Sequence, residues 1–79
     1  MVEVGERYRH FKGKGYEVVA IGWNSGSLKK IVVYRGDYDD DEFGFGQIWI
    51  RDVGDFCGFK ILEDGRKVKR FEFVGDEDD

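Results

Sequence analysis

"RYRHFKGKGYEVVAIG", residues 7–22, decides how the rest of the chain is read. Its first residues alternate cationic and aromatic side chains. Gly13 and Gly15 then supply the backbone freedom a tight reversal needs, and residues 16–22 return as an apolar, β-branched run. The stretch reads as an antiparallel hairpin. Strand alternation puts Tyr8 and His10 on one face and Arg9 and Phe11 on the other.

Working outward, "WNSGSLKK" is a turn built on Asn24, Ser25 and Gly26, and "IVVYR" (31–35) is a strand. An acidic excursion, "GDYDDDEFGFG", leads to a further strand, "QIWIR" (47–51). Asp52 then stands where it can cap one short helical turn over 52–57, and "FKIL" and "RKVKRFEFV" flank the turn signal Asp64-Gly65. No helical period is sustained anywhere. The pattern predicts an all-β fold, a small SH3-like barrel of five to six short strands with one helical turn near residues 52–57. Its expected core is Val18, Ile21, Val33, Ile48, Ile50, Phe56 and Phe71. Cys57, set between phenylalanines in "DFCGF", is expected to be buried and inert. "YEVVAI" and "IVVYR" do not alternate cleanly, as expected of curved strands covered on both sides.

Composition bounds the rest. Seventy-nine residues make one domain, and 41% hydrophobic with 38% charged residues describes a globular protein with a soluble surface. There is no apolar stretch of the length a membrane span needs and no secretory leader pattern, and a lone cysteine forms no internal disulfide; the expected location is the cytoplasm, without membrane contact. The net charge of −4 is unevenly spread. Without the four acids at 76–79 the 13 remaining acids match the 13 bases, and without the four at 39–42 the body is mildly basic. Residues 75–79 are expected to be a frayed acidic tail.

The blocks "YRHFKG", "YEVV", "VVYR", "IWIR" and "RFEF", in that order over residues 6–73, resemble the small prokaryotic family known as domain of unknown function 1653. The chain departs from that pattern in two places. Asp52 stands where the family usually has a proline after its Trp-x-Arg, and the connection from "VVYR" to the tryptophan strand is longer. The resemblance implies a compact, mostly β domain and brings no activity with it.

Candidate chemistry is sparse. Cys57 and His10 are the chain's only thiol and imidazole. They do not make a zinc set, and a Cys–His dyad conflicts with a buried Cys57, so no catalytic residue, metal or cofactor is assigned. Asp37, Asp39, Asp41 and Glu42 offer hard oxygen ligands for weak calcium binding, against the plainer reading of a solvated acidic loop. Arg7, Arg9, His10, Lys12 and Lys14, interleaved with Tyr8, Phe11 and Tyr16, form a basic-aromatic set of the kind small barrels use on nucleic acids. Arg35 and Arg51 each close an apolar strand and are expected to be partly buried. They either pair with Asp37, Asp52 or Asp55, or aim at a ligand carboxylate or phosphate beside Tyr34 and Trp49. The candidate ligand-binding residues are therefore His10, Arg9, Tyr34, Arg35, Trp49 and Arg51.

These features describe a binding module and not an enzyme. The leading expectation is a protein partner, anchored by the aromatic residues of "DYDDDEFGFGQIW". The alternative is nucleic acid or a small nucleotide on the basic-aromatic hairpin, as suits a regulatory protein or a phage-encoded sequestering protein. Against it stand the low isoelectric point, near 4.9, and the acidic loop.

Overall fold

The computed structural model describes residues 2–40 and 42–76, without the side chains of Asp40 and Asp76. The opening hairpin forms as read: β1 (Glu6–His10) lies antiparallel to β2 (Gly15–Trp23), with Tyr8 opposite Tyr16. Gly13 turns the corner at φ +102°, a conformation that strains any residue with a Cβ, and its N–H donates to the His10 carbonyl at 2.7 Å. β2 returns through the Asn24 turn, where the side-chain Oδ1 accepts from the backbone N–H groups of Gly26 and Ser27 at 2.9 and 3.1 Å.

β3 (Lys30–Gly36) pairs with β2 through a bulge, because Val18 faces Tyr34 while Ala20 already faces Val33. Val19 is the extra residue. The broken alternation of "YEVVAI" comes from this insertion, not from cover on both sides. The acidic excursion folds into a two-residue-per-strand ribbon, β4 (Asp39–Asp40) and β5 (Gly44–Phe45), before β6 (Ile48–Asp52) joins the free side of β3.

The helical turn is α1 (Val53–Phe56), which delivers Phe56 to the core at 1% exposure. Asp52 holds the N-cap position, but its side chain makes no capping bond and lies 3.9 Å from the Lys29 Nζ instead. The closing hairpin splits in two. β7 (Phe59–Ile61) and β8 (Lys67–Lys69) pair with each other around Gly65, whereas β9 (Phe71–Asp76) pairs with β1. Arg70 is the point of exchange, donating its N–H to Gly58 and accepting from the Phe11 N–H, both at 3.0 Å.

The architecture is mostly β with one short helix, but the expected barrel is not closed. The main sheet runs β6-β3-β2-β1-β9, with β6 and β9 as open edges among the described residues. Among the described residues nine strand segments replace the expected five to six, since the ribbon adds two and the last strand is divided. Gly75 and Asp76, expected in a frayed tail, belong to β9 opposite Arg7 and Glu6; residues 77–79 lie outside the described residues.

The core consists of Val2, Val18, Val32, Tyr34, Phe56 and Phe71, with Tyr8, Tyr16, Ile21, Trp49 and Val53 packed against it. This corrects three expected core positions. Val33 is only partly buried, and Ile48 and Ile50 are 47% and 66% exposed. Directly paired residues share a face, and the pairs Val32↔Arg51 and Tyr34↔Trp49 take the inner one, leaving Val33↔Ile50 and Arg35↔Ile48 outside. Cys57 is also corrected: it is exposed, because Phe56 takes the inward direction and Cys57 caps the turn, its N–H bonded to the Val53 carbonyl at 2.9 Å.

Candidate ligand-binding cleft

The inner face of the sheet is aromatic and cationic at the end formed by the opening hairpin. Alternation along β1 turns His10 inward, the β1–β9 register sets it opposite Phe71, and the β3–β6 register brings Trp49 beside Tyr34. These strands enclose a cleft of about 300 Å³ lined by His10, Lys12, Lys14, Tyr16, Tyr34, Tyr38, Trp49, Arg51 and Phe71. Six of the lining side chains are rings, three are cations, and none is a carboxylate.

The rings brace one another edge to face. Tyr16 meets Tyr34 at 5.2 Å and Tyr38 at 5.4 Å between centroids, His10 meets Phe71 at 5.0 Å, and Phe43 of the acidic excursion meets Trp49 at 5.2 Å. The Tyr16 and Tyr38 hydroxyls share a hydrogen bond of 2.9 Å. Burial, then that hydrogen bond, push the Tyr16 hydroxyl well above its usual range, so it keeps its proton. Tyr38 lies across Gly36, where an added Cβ would stand 2.9 Å from its ring; glycine at 36 therefore allows Tyr38 to wall the cleft.

Arg51 donates from Nε to the Tyr34 hydroxyl at 3.3 Å, and its guanidinium lies 5.8 Å from the centre of the Phe71 ring. It has no ion pair among the described residues, and Asp52, one of its expected partners, lies beside Lys29. Two further donors, Trp49 Nε1 and Arg70 Nε, are buried with no hydrogen-bond partner among the described residues. Polar groups shut away in this way are costly unless something completes them. His10 is held below its ordinary pKa of 6.5, first by burial and then by the charges of Lys12, Arg51 and Arg70. Its Nδ1 accepts the Lys12 backbone N–H at 3.2 Å, as the neutral ring can.

Of the six candidate residues, His10, Tyr34, Trp49 and Arg51 come together here, with Tyr34 largely core at 4% exposure. Arg9 and Arg35 lie on the outer face. Arg35 is exposed and paired with Glu17, not with Asp37, Asp52 or Asp55. With Arg7, Glu17, Asp37 and Phe45 it lines an outer hollow of about 620 Å³, which shares Tyr16 with the cleft and whose mixed charges are already matched in part. Lys12, Lys14 and Tyr16 of the basic-aromatic set also line the cleft, and so does Tyr38, expected only among the aromatic anchors for a protein partner. Phe71, expected in the core, lies there and closes the floor of the cleft as well.

His10 and Cys57 line different clefts. Among the described residues no group of three or more His, Cys, Asp or Glu side chains is gathered tightly enough to hold a metal ion, and Asp41 of the acidic loop lies outside them. No helix is long and apolar enough to cross a membrane.

No curated protein matches the chain. Among solved structures it is similar to a DUF1653 protein from Bordetella bronchiseptica, with a TM-score of 0.75 and 24% identity over 95% of this chain and 90% of that one, a likeness of fold. The model of the family described as "Protein of unknown function (DUF1653)" matches residues 6–73, and the chain belongs to that family.

Proposed function

We propose that this domain is a non-catalytic binding module whose working surface is the inner cleft, and that its ligand is a nucleotide or nucleic acid. The observation that carries the reading is the lining itself: six edge-to-face rings and three cations with no carboxylate. A base offers a flat π-face to such rings, and its phosphate offers acceptors to Arg51, Lys12 and Lys14. The bulged five-stranded sheet with one helical turn supports an SH3-like kinship. The same reading puts the protein in a reducing prokaryotic cytoplasm, where the Cys57 thiol stays free.

The test is titration with nucleoside monophosphates, followed through the Trp49 indole N–H resonance at low and at high salt. Saturable movement of that resonance, weakened by salt, supports the reading. Arg51→Gln is expected to lower affinity at least tenfold while the folded spectrum persists. An indole signal indifferent to every nucleotide would sink it.

A protein partner remains a second reading, favoured by one observation. Phe45, Ile48 and Ile50 are exposed on the outer face, away from the cleft, at 71%, 47% and 66%. Under that reading Ile50→Lys abolishes binding and Arg51→Gln does not.

A further inference from the structure

We infer that the cleft takes the phosphate ester of a single nucleoside and not a continuous strand, an inference that rests on the nucleotide reading above. Two observations carry it. At about 300 Å³ the cleft is at the lower end of small-molecule sites, with room for one base and its phosphate. Its positive charge is also local. A protein that tracks a strand needs a cationic groove entering and leaving the site. Here Arg51 adjoins a second hollow in which Asp52 and Asp55 take over the lining. Tyr16 likewise adjoins the outer hollow, whose lining includes Glu17 and Asp37. Phosphates continuing into either adjoining hollow meet carboxylates, at a repulsion a single phosphate between Arg51 and the two lysines escapes. The overall charge of −4 works in the same direction, since it opposes a polyanion far more than a small anion.

The decisive experiment measures affinity and its salt dependence for a nucleoside monophosphate, a dinucleotide and a ten-residue single strand of the same base. The structure leads to equal or weaker binding as length grows, when expressed per strand, and a salt slope that stays near that of one phosphate contact. Affinity rising tenfold or more from monophosphate to decamer, with a steeper salt slope, overturns the inference and leaves the nucleotide reading standing. No binding by any of the three overturns both. Nucleoside alone and inorganic phosphate alone complete the series. Each is expected to bind at least tenfold more weakly than the monophosphate, and phosphate binding as tightly as the whole nucleotide would show that the rings contribute nothing, which also overturns the inference.

Discussion

Phe56 lies flat on Phe71, ring centroids 4.2 Å apart and planes 8° from parallel, so that the one helical turn is fastened to the strand that closes the sheet. Both rings are almost fully buried, at 1% and 5% exposure. Replacing Phe56 by alanine is expected to cost about 3–5 kcal/mol, comparable to the entire stability of many domains this small. Urea unfolding should show Phe56→Ala largely unfolded without denaturant, and Phe56→Leu folded with a lowered midpoint.

The face assignment of β3 and β6 separates two residues that look equivalent in the sequence. Val32→Ala, in a position with 0% exposure, is expected to cost about 2 kcal/mol, whereas Ile50→Thr, 66% exposed, should change stability by less than about 0.5 kcal/mol. Equal losses in denaturant melts would contradict the register described above.

That pair also shows what the sequence could and could not disclose. The strands, the glycine reversal, the Asn24 turn and the helical turn were legible because each is local chemistry. The facing of β3 and β6 was not. "IVVYR" is apolar at successive positions, and "QIWIR" turns its isoleucines out and its arginine in, the reverse of the usual rule. Local rules fail most often where a surface has work to do, and this inversion falls at the cleft. His10, Trp49 and Arg51 could be named as chemically apt, but separating them from Arg9 and Arg35 required the register. Tyr38 required the close passage over Gly36.

His10 gives a pH dependence with a defined sign. Its pKa is lowered in the folded state by burial and by Lys12, Arg51 and Arg70, so the unfolded chain binds the proton more readily. The folded state is therefore favoured above the ordinary histidine value of 6.5, and it loses stability as pH falls from there toward the depressed folded value. His10→Gln should flatten that part of the profile in thermal melts recorded from pH 7.5 down to 5. A bound phosphate favours the imidazolium, so nucleotide affinity of the natural protein should rise as pH falls over the same range, and the variant should lose that rise.

Cys57 is exposed at the end of α1 and should react with a thiol reagent in the native protein at a rate close to that of the urea-unfolded chain. Cys57→Ser is expected to alter stability by no more than about 0.5 kcal/mol. Protection that disappears only on unfolding would show that the thiol is covered.

Val19 stands opposite no residue of its own in β3, yet Val18 keeps Tyr34 as its partner and Ile21 keeps Val32 on either side of it. A chain one residue shorter at this point would keep those pairings and straighten β2, since an inserted residue bends and twists the strand that carries it. The depth of the hollow is thus set by counting and not by chemistry. A residue that does not line the cleft sets how far the rings on neighbouring strands can converge, and an exchange of its side chain would tell far less about recognition than its removal.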